Sequence, residues 1–307
     1  MLKITFLGTA GSLPTPYRNP SSILIKKDSE LVMFDCGEGT QQQMMRARTG
    51  MMSLSSIFIT HFHADHVLGI PGLLQTMSFQ GRTEPLYIYG PEWVDEFIRI
   101  LATLGYCRLG FDIETVQLEP GDIVEKNGYS VKSLKTEHGV DSIGYAFVEN
   151  KRPGKFNRQK AVSFGVPPGP LFSRLQQGNP IEVDGRTVLP EEVMGDPRPG
   201  RTIVYSGDTR PCDDVLNASK GADVLIHDGS LDNKQYDWAI ESMHSTASEA
   251  ANLAKKSGVI KLVLTHISSR YTEDVSPLLN NAQKIFNNVI IADDLMEINV
   301  PYKNKVK

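Results

Sequence analysis

The chain has 307 residues, 40% of them hydrophobic and 22% charged, with a formal net charge of −4. These are globular proportions that allow a sizeable core in one large domain or two ordinary ones; they exclude a strongly basic chain, so any nucleic-acid surface must be local. The three cysteines, Cys36, Cys107 and Cys212, are scattered and odd in number, which argues for a reducing compartment and against a disulfide framework. The N-terminus reads as a strand rather than a signal peptide, and no apolar run approaches the roughly 20 residues of a membrane span. The expectation is a soluble, cytoplasmic protein with no membrane partner.

Residues 2–7 read as a strand, followed by a Gly/Pro-rich loop over 8–20. Residues 22–25 and 31–34 read as two more strands, joined as a hairpin by the polar Lys26-Lys27-Asp28-Ser29-Glu30. Asp35-Cys36-Gly37 then leads into a helix over 41–48. Asp35 has two readings at this point: a carboxylate touching a site, or a turn aspartate holding backbone N–H groups.

The apolar run 56–59 opens into Thr60-His61-Phe62-His63-Ala64-Asp65-His66. Imidazole nitrogens and a carboxylate oxygen are the ligands divalent zinc prefers, and a strand end lets a loop converge them. His61 and His63 are two apart and project to one side of an extended chain, while Asp65 and His66 fall where a helix should begin. Surface histidines in a polar loop rarely need four such groups so close together.

Residues 68–79 read as a helix interrupted near Pro71, 86–89 as a strand and 92–104 as an amphipathic helix. Short β segments over 111–134 deliver His138 before Gly139, a ligand candidate once a metal cluster is in view. From 151 to 180 there are Lys151, Arg152, Lys155, Arg158, Lys160 and Arg174 with no acidic residue, interrupted by Gly165-Val166-Pro167-Pro168-Gly169-Pro170. This reads as a basic, jointed arm suited to a polyphosphate partner, or else as a disordered solvated loop.

The apolar run 202–205 ends in Ser206-Gly207-Asp208, where a carboxylate can offer one oxygen to each of two cations. Residues 222–228 form another strand ending in His227-Asp228. His244-Ser245-Thr246 precedes a helix over 247–256 with Ser245 or Thr246 as N-cap, and 261–265 repeats the strand-then-histidine pattern at His266. A last helix covers 277–286, and 289–300 supplies closing β material.

The ordered set His61-x-His63-x-Asp65-His66, His138, Asp208 and His266 resembles the metallo-β-lactamase superfamily across essentially the whole chain. The stretches 34–41, 71–74, 78–81, 205–209, 244–246 and 264–268 narrow the resemblance to the ribonuclease Z family, the tRNA 3′-processing endonucleases, in its short form. The resemblance implies an α+β fold, an αβ/βα sandwich in a single domain over 1–307, with 151–200 as an inserted flexible arm that grips tRNA. It implies two Zn(2+) per subunit, one held by His61, His63 and His138, the other by Asp65, His66 and His266, with Asp208 bridging. Asp65 becomes the proton acceptor, and His244 the group that assists the leaving oxygen with Asp228 as its partner.

Arg18 and Asn19 match the family's Pro-x-Lys-x-Arg-Asn loop, in which Pro16 here replaces lysine. Asp228 stands where glutamate is usual and is one methylene shorter. Arg18, Asn19, Lys151, Arg152, Lys155, Arg158 and Lys160 are the expected RNA contacts. The partners implied are precursor tRNA and a second copy of the chain in a homodimer. The rival readings are a phosphodiesterase of the same fold acting on small phosphodiesters or other RNA, hydrolysis of a lactam or thioester, and a metal-free RNA-binding relative.

Overall fold

A computed structural model describes residues 1–104 and 108–303, so Cys107 lies outside the described residues. The chain divides into two compact units, one formed by 1–148 with 202–307 and the other by Glu149–Arg201.

The first unit holds two seven-stranded sheets. One runs, edge to edge, Glu297–Asn299, Leu2–Gly8, Ser22–Lys27, Glu30–Phe34, Leu54–Phe58, Leu86–Gly90 and Ile113–Gln117. The other runs Val289–Ile291, Lys261–Thr265, Val224–Asp228, Thr202–Tyr205, Ile143–Glu149, Tyr129–Lys135 and Ile123–Lys126. Each sheet has a parallel block: from Glu30–Phe34 to Ile113–Gln117 in the first, and from Val289–Ile291 to Thr202–Tyr205 in the second. Parallel strands present all their C-terminal ends at one edge, where ligands collect in open sheets.

The two inner faces meet in a buried layer containing Ile4, Phe34, Phe58, Tyr145, Tyr205 and Val263. Phe34 stacks on Tyr145 with ring centroids 5.5 Å apart and on Tyr205 at 5.8 Å. Truncating such a buried ring to alanine costs about 3–5 kcal/mol. The layer also reaches upward: the Tyr205 hydroxyl donates to Asp35 over 2.8 Å, and that of Tyr145 to the Ile59 carbonyl over 2.5 Å. Core packing thus sets the height of two strand ends that lead into the site.

Helices cover the outer faces. Ile70–Phe79 begins with Pro71 in its first turn, where a missing N–H is harmless, so the interruption expected inside this helix is its start. A short helix, Ala64–Val67, precedes it and carries Asp65 and His66. Thr246 caps Ala247–Ser257 by accepting from the Glu249 N–H, while Ser245 donates instead to the Thr209 carbonyl. The closing β material is divided, with Val289–Ile291 joining one sheet and Glu297–Asn299 the other.

The second unit has a core of its own, which a disordered solvated loop would lack. Ala161, Val166, Leu175, Ile181, Val188 and Val193 are buried together. They come from the helices Arg158–Ser163, Pro170–Gln176 and Pro190–Val193, from the hairpin Ile181–Val183 with Arg186–Val188, and from the loop at Val166. Where this unit begins and ends, the buried Arg201 guanidinium donates to Glu149 over 2.7 and 2.8 Å.

Candidate active site

Six strand ends converge. After Leu54–Phe58 come Thr60, His61 and His63; Tyr129–Lys135 is followed by His138; after Thr202–Tyr205 comes Asp208; Val224–Asp228 ends in Asp228; Lys261–Thr265 is followed by His266; and Glu30–Phe34 is followed by Asp35. Two glycines permit the approach. Gly207 has φ near +60°, and a Cβ there would lie 2.9 Å from the Thr60 side chain. A Cβ on Gly11 would lie 2.7 Å from the His266 ring nitrogen. Ser12, Asp35, Met243 and His266 also hold positive φ, strain of the kind that packing fixes at functional sites.

The expected ligand residues are brought together in two groups. Donor atoms of His61, His63 and His138 lie within 4.8 Å of one another, as do those of Asp65, His66, Asp208 and His266. Asp208 Oδ2 is the common point, 3.8 Å from His61 Nε2, 3.3 Å from His66 Nε2 and 3.1 Å from His266 Nε2. His63 enters through Nδ1, 2.9 Å from His61 Nε2 and 3.4 Å from His138 Nε2.

The outward nitrogens show what the inward ones are for. Nδ1 of His61 donates to Thr60 Oγ1 over 3.0 Å, that of His66 to Asp35 Oδ2 over 2.9 Å, that of His138 to the Met243 carbonyl over 3.0 Å, and that of His266 to Ser230 Oγ over 2.9 Å. A proton on each Nδ1 leaves a lone pair on each Nε2 facing the centre, the tautomer a metal requires. His66 Nε2 and Asp208 Oδ1 are buried without a hydrogen-bond partner. Two carboxylates among neutral imidazoles also make a negative cluster, costly to seal from water unless cations join it. The residues fit divalent metal.

The local field agrees. Burial pushes the His66 imidazole down, but Asp208 and Asp35 outweigh it and hold the ring well above its ordinary value, so this spot favours positive charge. Burial lowers His61 and His63 toward the neutral, ligating form. Burial would raise Asp65 and Asp208, yet the neighbouring histidines keep both below the usual carboxylate range. Asp65 also accepts from the Ser12 N–H over 2.8 Å, and its side chain is 11% exposed against 3% for Asp208. Of the two, Asp65 is the more open to water.

At the edge of the cluster, His244 Nδ1 donates to Asp228 Oδ2 over 2.8 Å, so the shorter side chain spans the gap. Asp228 is fully buried and also accepts from Thr209 N, Ser245 N, Ser230 N and Ser230 Oγ, which leaves no lone pair for an ion. Burial opposes charging His244, but the Asp228 carboxylate prevails and pushes it up to about 9. The His244 backbone is pinned as well, its carbonyl accepting from Arg210, whose guanidinium also pairs with Glu249.

Asp35 belongs to this site: it is fully buried and accepts from Thr60 N (2.8 Å), Thr60 Oγ1 (3.0 Å), Tyr205 and His66. Tyr205, Ser230, Arg210 and Ser12 were not singled out in sequence. Tyr205 and Ser230 lie within two residues of a strand end that carries a candidate ligand or partner, a signal that could have found them. His227 stays outside the cluster, buried with Nδ1 on the Asp228 carbonyl at 2.8 Å.

The expected RNA contacts divide. Arg18 is buried, and its guanidinium donates to Thr9, to the Ala292 carbonyl and to Asp293 over 2.5 to 2.7 Å. It braces its loop rather than facing solvent, a correction that follows from that pairing. Asn19 is half-buried, with its backbone N–H on Asp294 and its side-chain amide on the Glu38 carbonyl. Lys151, Lys155, Arg158 and Lys160 are exposed and Arg152 is half-buried. Lys155, Arg158 and Lys160 line a cavity of about 710 Å³ in the second unit, shared with Glu192.

A family described as "Beta-lactamase superfamily domain" matches residues 192–267, and one described as "Anti-Pycsar protein Apyc1" matches 2–152. The ribonuclease Z of Methanosarcina acetivorans is 66% identical over 303 residues, covering 99% of each chain. That of Archaeoglobus fulgidus is 48% identical over 98% of this chain and 99% of its own. The crystal structure of the short form of human tRNase Z, 30% identical, covers 97% of this chain and 99% of that one with a TM-score of 0.70. The two-sheet sandwich is the metallo-β-lactamase fold, and the chain belongs to the ribonuclease Z family.

Proposed function

We propose that this chain is a metal-dependent endoribonuclease that removes the 3′ trailer from tRNA precursors, leaving a 3′-hydroxyl on the tRNA and a 5′-phosphate on the trailer. The observation that carries it is a pair of adjoining ligand groups with Asp208 Oδ2 near both, and a carboxylate-paired imidazole, His244, at their edge. A separate acid beside the metal ligands suits a reaction whose leaving group is an alkoxide.

His61, His63 and His138 would hold one Zn(2+), Asp65, His66 and His266 a second, and Asp208 both. When bound, such a pair supplies Lewis acidity toward water and toward the phosphoryl oxygens. The chain's own residues do the rest. Asp65, partly open to solvent, orients the attacking water and takes its proton. His244 protonates the departing 3′-oxygen from Nε2, because Nδ1 is committed to Asp228. Asp228 keeps that ring charged and correctly turned. Thr60, Asp35, Ser230 and the Met243 carbonyl hold the ligating rings in the tautomer the site needs.

The basic groove of the second unit meets the tRNA backbone through Lys155, Arg158 and Lys160, with Lys151 and Arg152 beside it in sequence. A homodimer, with one subunit's arm serving the other's site, and a cytoplasmic location complete the proposal. Cys36 and Cys212 are free thiols, and no helix among the described residues is long and apolar enough to cross a membrane. Exposed Trp93, Phe97 and Ile100 offer an apolar face for a second copy.

The test is cleavage of a 3′-extended tRNA precursor, with and without chelator, mapped to the nucleotide. Cutting at the mature 3′ end, lost with chelator and restored by zinc, is the expected result. An intact precursor beside a hydrolysed small phosphodiester would overturn the RNA assignment and favour the phosphodiesterase reading.

A further inference from the structure

Beside the ligand cluster is a second feature that the chemistry does not use. A cavity of about 240 Å³ opens against His244 and His266, with Leu13 and Trp238 among its walls. Both are large apolar side chains left open, Leu13 61% and Trp238 46% exposed, although they stand next to buried polar groups. The Arg270 guanidinium lies over the Trp238 indole, 5.8 Å from the ring centroid, and among the described residues it has no carboxylate partner. Its nearest polar contact is Ser268 Oγ at 3.4 Å.

We infer that this slot binds the nucleobase of the nucleotide whose 3′-oxygen departs, stacked at Trp238, with Arg270 meeting the phosphate on its 5′ side. The inference rests on the reading of the chain as a tRNA 3′-end endonuclease. Three observations converge on it. The slot shares His244 with the reaction, and His244 donates to the leaving oxygen, so the base attached to that ribose is only a sugar ring away and within reach of the slot. An exposed indole carrying a guanidinium is a stacking platform: a base can take the open face of the ring or extend the stack over the guanidinium plane. An arginine with no carboxylate partner among the described residues, at the edge of a phosphodiester site, is a ready anion contact.

The slot is also held stiffly. Ala239, next to Trp238, accepts from the His244 N–H over 2.9 Å, and Asp232 N donates to the hydroxyl of Tyr271, beside Arg270, over 2.9 Å. Its remaining polar lining is serine hydroxyl, which both donates and accepts. The slot therefore reads the presence of a base by stacking and discriminates weakly among the four.

The test is a chemical cycle. Single-turnover cleavage is measured on precursor tRNA carrying either its natural base or an abasic site at the nucleotide before the cut, with wild type, Trp238→Ala and Trp238→Phe. Removing the base should slow wild type roughly 10- to 100-fold in kcat/KM, the range of one base stacked on an aromatic ring. Trp238→Ala should lose about as much on the natural substrate and almost nothing further on the abasic one, while Trp238→Phe retains most of the rate. Losses that multiply independently, or a Trp238→Ala variant with wild-type rates, overturn the inference. Zinc content checks the fold of each variant; should Trp238→Ala lose its metal, Leu13→Ser, at a more exposed point of the lining, completes the same cycle. Wild type that leaves the precursor uncut overturns the tRNA reading itself, and this inference with it.

Discussion

His244 Nδ1 lies 2.8 Å from Asp228 Oδ2, and that carboxylate is sealed from solvent with every other lone pair committed. The pair therefore titrates as a unit. An acid works only while protonated, and Asp228 keeps His244 protonated up to about pH 9 against the opposing effect of burial. Asp228→Asn removes the charge that raises the ring, so the alkaline fall in single-turnover rate should move to lower pH, toward the ordinary imidazole range near 6.5. An alkaline limb that stays in place in this variant would sink the pairing.

The same pair bears on folding. An imidazole raised in the folded state stabilises fully below its unfolded value near 6.5, and that contribution fades as pH rises through about 9. Denaturation of metal-free protein should show this loss between those limits in wild type, and a flatter profile in His244→Gln.

Asp65 and His244 separate by what their loss removes. Asp65→Ala should abolish cleavage and weaken metal binding, because Asp65 sits inside the second ligand group. His244→Ala should keep its zinc and slow the chemical step about 10²–10⁴-fold, the usual range for a lost acid–base group. Zinc content and single-turnover rate on both variants decide; a His244→Ala protein without zinc would refute the assignment.

Asp35 touches no substrate in this scheme, yet its removal should be felt twice. Asp35→Ala frees His66 Nδ1 and leaves Tyr205 OH and Thr60 N–H unsatisfied in a dry core. Each stranded donor costs about 1–3 kcal/mol, and loss of a ligand's outer partner weakens metal binding roughly 10–100-fold. Zinc titration and urea denaturation read the two effects; wild-type zinc affinity would show that Asp35 only shapes the turn.

The basic groove predicts a salt dependence. Replacing Lys155, Arg158 and Lys160 together with alanine should raise KM for precursor tRNA, spare kcat, and flatten the slope of log affinity against log salt by about 2–3. An unchanged slope would mean that these charges do not meet phosphate.

The sequence by itself determined the candidate ligands and their order. Each stands at the end of an apolar run, and the hydropathy that makes a strand and the donor that follows it are both local properties of the chain. The strands, the helix after His244 and the first-turn position of Asp65 were legible for the same reason. What only the tertiary structure decided depends on partners far apart in the chain. Asp35 could be read as a turn residue until Tyr205, 170 positions away, and His66 met it. Arg18 looked like an RNA contact until Asp293 and the Ala292 carbonyl were folded onto its guanidinium. The closing strands read as one block because their pattern is alike, yet pairing sends Val289–Ile291 and Glu297–Asn299 to different sheets. Whether Asp228 reaches His244 was a matter of one methylene, set by how two strand ends and a loop pack, which no local pattern encodes.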